Sequence, residues 1–303
     1  MPAGYADSAR VSSAAGLCCV ARAGAIQCTN MYLEFLGLKE KPFSITADPS
    51  FLYLSRKHRE ALSHMVYGIR ERKGFIEITG EVGTGKTTLC KALLRQLDPS
   101  THKTALILQP QLSELQLLRS VVQDFGMNPM RTSRLDLFNQ LNRFLLEEAD
   151  LGHNLIVVID EAQNLSLRLL EQIRMLSNLE TDKTKLIQII LVGQPQLREK
   201  LASPALEQLR QRIGVRYHMM PLDPDEVRTY IDHRLRIAGA DESLEWTAEA
   251  AEEVFRCSKG IPRMINLIGD RTLLACYVYR VKRVDAEIVR QSFQELSGQV
   301  LVA

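Results

Sequence analysis

The sequence predicts a layered α/β fold on a five-stranded parallel sheet, followed by a small all-α lid domain. Three observations predict it. Short apolar runs at 75–79, 104–109, 154–160, 186–193 and 214–220 alternate with segments of helical apolar spacing, the pattern of parallel strands joined by right-handed helical crossovers. A glycine-rich loop, Gly80 to Thr87, stands between the first run and a helix-prone segment. At Pro221 the character changes, and no strand candidate of length follows.

The elements follow in order. "KPFSITADPSFLYLS" (41–55) reads as a loop with proline turns and aromatic anchors. "RKHREALSHMVYGIRER" carries Leu62, Met65, Val66 and Ile69 at helical spacing. "FIEIT" (75–79) is the first strand, and Lys86 to Leu97 a helix. "TALILQ" (104–109) is the second strand. Ser113 with Gln116 three residues on is a capping-box signal for a helix to about Phe125. Another helix fits 134–149. "NLIVVID" (154–160) is continuously apolar, as a strand buried on both faces of a parallel sheet is. A helix fits Leu167 to Leu179, "LIQIILVG" (186–193) is the fourth strand, and "GVRYHMM" (214–220) the fifth. "DPDE" (223–226) then starts a helix with a cap, a proline in the first turn and an acid at the third position. Helices fit 224–238, 248–257, 262–279 and 285–295.

Composition excludes several classes. Hydrophobic residues make 46% and charged residues 24% of 303 positions, as in a globular protein. Lys+Arg number 38 against 36 Asp+Glu, so no global basic field demands nucleic acid. No apolar run approaches the roughly 20 residues that span a bilayer, so direct membrane insertion is not expected. The six cysteines show no C-x-x-C or Cys/His metal spacing, which fits reduced thiols in the cytoplasm. Residues 1–30 are rich in Ala, Gly, Ser and Cys without an amphipathic period. A signal peptide fits poorly, because Arg22 breaks the apolar core and Asp7 sits in the would-be basic region. The segment reads as a disordered leader or as translation begun ahead of a true start at Met31. The expected organisation is a leader at 1–30, an α/β core at 31–221, a helical lid at 222–298 and a tail at 299–303.

The chemistry concentrates in two motifs. Gly80-Glu81-Val82-Gly83-Thr84-Gly85-Lys86-Thr87, followed by Thr88, matches the phosphate-binding P-loop pattern G-x-x-x-x-G-K-T completely. Glycines let backbone N–H groups curl around phosphate oxygens, and the following helix adds its positive end. Lys86 is expected on the β- and γ-phosphates, and the Thr87 hydroxyl on Mg²⁺. "LIVVIDEAQ" (155–163) ends an apolar strand in two carboxylates, at the sheet edge where ligands bind in such folds. Asp160 is expected to hold Mg²⁺ and Glu161 to polarise the attacking water. That arrangement points to hydrolysis of ATP rather than transfer to a small acceptor, for which no dedicated pocket is apparent. GTP selection is not indicated, since no NKxD motif is present. Gln194, closing the strand "LVGQP", stands where a polar side chain reaches the γ-phosphate or the water. Arg263 in "KGIPRMIN" (259–266) stands where a lid residue reaches back to the γ-phosphate.

These elements in this order resemble AAA+ ATPases. The segments "MYLEFLGLKEKPFSITADPSFLYLS", "HREAL", "GEVGTGKTTLC", "LSNLETDKTKLIQIILVGQPQL" and "YIDHRLRIAGA" narrow the resemblance to the general secretion pathway protein A (ExeA) type. That type is similar to MSHA-pilus biogenesis ATPases and, further away, to TnsC-like transposition ATPases. The resemblance covers about 31–296. It implies an oligomeric, cytoplasmic ATP hydrolase using ATP and Mg²⁺, a ring or a nucleotide-dependent dimer, that serves assembly of a secretion or pilus complex. It also implies a place peripheral to the inner membrane through a protein partner. In relatives the strand-end position of Gln194 is often Asn, Ser or Thr, so the longer glutamine departs from the pattern. The resemblance further implies that an arginine in "LRQRIGVRY" acts on the neighbouring copy's site; Arg212 is the first candidate, Arg210 the second, and Arg216 stands beside them. The alternative reading is a TnsC-like regulator binding DNA. It rests on two compact basic clusters, "RLRIAG" (234–239) and "YRVKRVD" (279–285), which are also what solvated helix faces look like.

Overall fold

A computed structural model describes residues 32–46, 48–108, 112–129, 133–180 and 185–298. The expected leader at 1–30 and tail at 299–303 lie outside them. The core elements are α1 (Arg56–Arg70), β1 (Phe75–Gly80), α2 (Lys86–Gln96), β2 (His102–Ile107), α3 (Glu114–Asp124), α4 (Arg134–Asp150), β3 (Asn154–Ile159), α5 (Leu167–Leu176), β4 (Gln188–Gly193), α6 (Pro195–Leu201), α7 (Glu207–Arg212) and β5 (Ile213–Met219). The five strands form one parallel sheet in the order β2-β3-β4-β1-β5.

Burial follows position in that order. β1, β3 and β4 are buried at every residue, as strands covered on both faces must be. β2 and β5 are edges and carry exposed or half-exposed positions. One apolar cluster joins Phe75, Val157 and Ile189 to α3, α4, α5 and α6 on one face. A second joins Ile76, Val158 and Ile190 to α1 and α2 on the other.

The second domain holds α8 (Pro224–Ile237), α9 (Ala248–Ser258), α10 (Pro262–Tyr279) and α11 (Ala286–Leu296). It also holds a two-residue parallel pair, β6 (Glu245–Trp246) with β7 (Arg283–Val284). Helices start where the caps stand: the Ser113 hydroxyl accepts from Gln116 N–H at 3.3 Å while the Gln116 side chain accepts from Ser113 N–H at 2.8 Å. The α8 start likewise has Asp223 N–H donating to Glu226 Oε2 at 3.2 Å.

Three expectations shift. β2 starts at His102 rather than Thr104 and stops before Leu108, which is exposed. α5 ends at Leu176 rather than Leu179, because Ser177 donates its hydroxyl to Arg174 O at 2.6 Å and closes the last turn. Residues 32–46 and 48–53, expected with the α/β core, pack instead on the lid: Tyr32, Leu36, Leu38, Phe43 and Phe51 share an apolar cluster with α8 to α11. Gly269 of α10 makes room for Phe43, since a Cβ there would lie 2.7 Å from the Phe43 ring. The strap therefore shares its apolar cluster with the lid helices rather than with the sheet.

Candidate nucleotide site

Parallel pairing brings three strand ends to one sheet edge. Thr79 of β1 is level with Gly193 of β4, and Ile159 of β3 with Leu191. The loop after Gly80, the Asp160-Glu161 pair and Gln194 thus meet at the carboxyl ends of adjacent strands, the usual ligand edge of such sheets. The loop backbone uses its glycines: Gly83 has φ +82° and Gly85 φ +95°, the left-handed region glycine tolerates. A Cβ on Gly83 would lie 2.6 Å from Arg263 Cβ, so the lid rests directly on the loop.

Lys86 is 7% exposed and folds back over the loop, its Nζ donating to Gly80 O and Glu81 O at 2.8 Å each. Burial depresses its pKa, against the pull of Glu161, Asp160 and Glu81. Thr87 donates its hydroxyl to Asp160 Oδ2, and Asp160 Oδ1 accepts Glu161 N–H at 2.8 Å. Asp160 is 3% exposed; burial raises its pKa, and the Thr87 and Glu161 hydrogen bonds oppose that rise. Glu161 has φ +53°, a strained conformation for a side-chain-bearing residue. That turn directs its carboxylate to Gln194 Nε2, which donates to Oε2 at 3.2 Å.

Gln163 had no role among the sequence expectations, and it ties this corner together. Its Nε2 donates to Glu161 Oε2, and its Oε1 accepts Gln194 N–H at 3.0 Å. Only its place two residues past Glu161 in "DEAQ" could have signalled it. His58 is the second unforeseen residue; its ring lies 2.9 Å from Thr84 O.

A cavity of about 350 Å³ opens at this edge. Lys86, Thr87, Thr88, Glu161 and Gln194 line it from the core, and Arg263 and Asn266 from the lid. Ser44, Ile45 and Tyr53 of the strap close a third side. Arg263 is exposed, and its N–H donates to Gly83 O at 3.2 Å. A larger groove of about 560 Å³ lies between α3, α4 and α5, but its lining is mainly apolar and holds none of these groups.

The residues present fit a Mg-nucleotide. A hydroxyl and one carboxylate are hard oxygen donors, the small protein contribution that Mg²⁺ takes when phosphates and water supply the rest. The loop offers backbone donors at the start of α2, with Gly83 and Gly85 in the left-handed region that lets the chain curl there.

Arg210 and Arg212 do not join this cavity. Phe75 pairs with Ile213 and Gly80 with Met219, so Arg212 sits at the opposite sheet edge, roughly 20 Å along the strand from the loop. Its Nη1 donates to Ser177 Oγ at 3.1 Å and to Asn178 Oδ1. Arg210 is exposed, and its carbonyl accepts from Arg216 Nη2 at 2.6 Å. Arg216 is taken up by the buried Glu77 carboxylate at 3.4 Å. In the two basic clusters only Arg234 is buried among the described arginines, whereas Arg236, Arg280 and Arg283 are exposed, as on solvated faces. Arg234 is 6% exposed and donates to Pro42 O, Ser44 O and Tyr230 Oη. Arg280 stacks on Phe35 and Tyr277, and Arg283 pairs with Glu245 at 3.5 Å.

Residues 69–201 match the family described as AAA domain. The chain is 43% identical over 269 residues to general secretion pathway protein A of Aeromonas hydrophila, a match covering 88% of this chain. It spans about half, 49%, of that relative's length. Among solved structures, Cdc6p from Pyrobaculum aerophilum aligns with a TM-score of 0.65 at 19% identity, covering 86% of this chain and 71% of that one. The Aeropyrum pernix ORC2 protein, described in ADPNP-ADP complexes, aligns with a TM-score of 0.63 at 20% identity, covering 87% and 73%. No described helix is long and apolar enough to cross a membrane. The chain thus carries an AAA domain within the fold of AAA+ P-loop ATPases, and in sequence it is a homologue of general secretion pathway protein A.

Proposed function

We propose that this chain binds ATP with Mg²⁺ in the cavity at the sheet edge and hydrolyses it, as a switch or motor for assembly of a secretion-type envelope complex. The observation that carries the reading is the convergence of Lys86, the Thr87–Asp160 pair and the Glu161–Gln194 pair on one cavity capped by the lid. Lys86 supplies positive charge to the phosphates. Thr87 and Asp160 would hold Mg²⁺, which supplies charge neutralisation on the phosphate oxygens. Glu161 accepts a proton from the attacking water, and Gln194, bonded to that carboxylate, orients the same water. Arg263 reports lid position to the phosphates. The nucleotides described with the ORC2 relative support the ligand class, and the name of the 43%-identical relative supports the secretion role.

Arg212, with Arg210 second, serves the cavity of a neighbouring copy, which makes the working unit an oligomer. Its distance from its own cavity and its exposure support that reading. The cytoplasmic face of the inner membrane, reached through a protein partner, is the proposed location. DNA is the less favoured partner, because Arg234 of the first basic cluster is buried and donates within the chain. Salt-dependent duplex binding with and without ATP distinguishes the two. The reading is tested by calorimetric titration of wild type and Lys86→Ala with ATP and Mg²⁺. Loss of binding in the variant is expected, and equal affinity in both refutes the assignment.

A further inference from the structure

The His58 side chain belongs to none of the roles above, yet it is built into the back of the phosphate loop. It stands on the first turn of α1 and is 6% exposed. Both ring nitrogens are engaged: Nε2 lies 2.9 Å from Thr84 O, and Nδ1 lies 2.8 Å from Ser55 Oγ. A carbonyl can only accept, so Nε2 carries the proton and Nδ1 accepts from the Ser55 hydroxyl. Ser55 Oγ in turn accepts from His58 N–H, which closes the set. Burial depresses the imidazole pKa, in keeping with this neutral tautomer.

The peptide joining Thr84 to Gly85 is planar and trans, so its C=O and N–H point in opposite directions. A carbonyl held on His58 turns the Gly85 N–H away from α1, toward the phosphate side of the loop. The neighbouring space is closed as well, since a Cβ on Gly85 would stand 3.0 Å from His58 Nε2. The foot of this brace is fixed from the other side. Arg56 N–H donates to Glu226 Oε1 at 2.9 Å, and Lys57 Nζ donates to Asp223 Oδ1 at 2.7 Å and Pro221 O at 2.8 Å. The first turn of α1 therefore links the start of the lid to the loop.

We propose that His58 is a positioning residue of the phosphate-binding loop: held by Ser55 and by the lid-anchored turn of α1, it fixes the Thr84 carbonyl and so aims the Gly85 N–H at phosphate. The proposal rests on the cavity being a nucleotide site. The test pairs two amides of different reach, His58→Gln and His58→Asn. The Gln amide nitrogen falls near the place of Nε2, whereas the shorter Asn amide falls near Nδ1 and leaves Thr84 O without its donor. Calorimetric titration with ATP and Mg²⁺ is expected to give His58→Asn about tenfold weaker binding, the fold-change of one buried acceptor left unsatisfied. His58→Gln is expected within about threefold of wild type, since one neutral hydrogen bond is retained. Equal ATP affinity in His58→Asn and wild type overturns the proposal, and so does a His58→Gln variant as weak as His58→Asn. Wild type that fails to bind ATP overturns the nucleotide reading itself, a distinct result.

Discussion

Arg234 offers a test of how the strap builds the cavity wall. The residue is 6% exposed. It donates to two strap carbonyls, Pro42 O and Ser44 O, and to Tyr230 Oη at 2.9 Å, and it stacks 4.8 Å from the Phe51 ring centroid. Arg234→Met keeps the aliphatic stem and deletes all three donors. Hydrogen bonds from a charged donor are worth about 1.5–3 kcal/mol each, so two strap carbonyls lose about 3–6 kcal/mol. Relief of a buried charge returns part of that, and about 2–4 kcal/mol of weaker strap docking remains. Ser44 and Ile45 line the cavity, so ATP affinity should fall with it. Hydrogen exchange read over residues 42–53 is the direct assay. Protection there should drop by about 30- to 1,000-fold for that free-energy change, while β1 and β3 stay protected. Unchanged protection in Arg234→Met refutes the claim that this arginine holds the strap.

Two further outcomes follow from the same geometry. Burial raises the pKa of Glu77 above the ordinary glutamate value of 4.5, and Arg216, then Arg198, opposes that rise. A carboxyl with a raised folded pKa stabilises the fold fully below its unfolded value and loses that contribution as pH rises through the folded value. Arg216→Ala should therefore cost little in chemical denaturation near pH 4 and about 1–2 kcal/mol near pH 7.5, a figure reduced because Arg216 is half exposed; a pH-independent deficit refutes this. ATP turnover per subunit should rise with protein concentration, and Arg212→Ala mixed with Lys86→Ala should recover activity that neither has alone. Concentration-independent turnover without recovery in the mixture excludes a shared site at Arg212.

What the sequence made legible was local. The strand-loop-helix from Phe75 to Gln96 needs only the strand's apolar run, the glycines and the lysine, all within one segment. The helix starts at Ser113 and Asp223 carry their own caps, and both stand where expected. Edges were less legible: His102, Lys103 and Thr104 are half exposed on an edge strand, so apolarity does not mark where β2 begins. Long-range pairings were not legible at all. Nothing in "KPFS" says that Phe43 settles over Gly269, or that Arg234 reaches Pro42 and Ser44. The His58–Thr84 and Gln163–Gln194 contacts likewise depend on which helix and strand ends the sheet order makes neighbours. The carboxylates were readable because a strand ending in Asp160-Glu161 delivers them to the ligand edge whichever strands flank it.

The central claim is that Glu161 activates water in a cavity whose Mg-nucleotide contacts are made by other residues. Glu161→Gln removes the base while Lys86, Thr87 and Asp160 remain in place. The direct measurement is ATP affinity and single-turnover hydrolysis in the same preparations of wild type and Glu161→Gln. Loss of one positioned base is worth about 10²–10⁴ in rate, so the account predicts hydrolysis slowed by that factor at near-equal ATP affinity. Turnover equal to wild type in Glu161→Gln contradicts it.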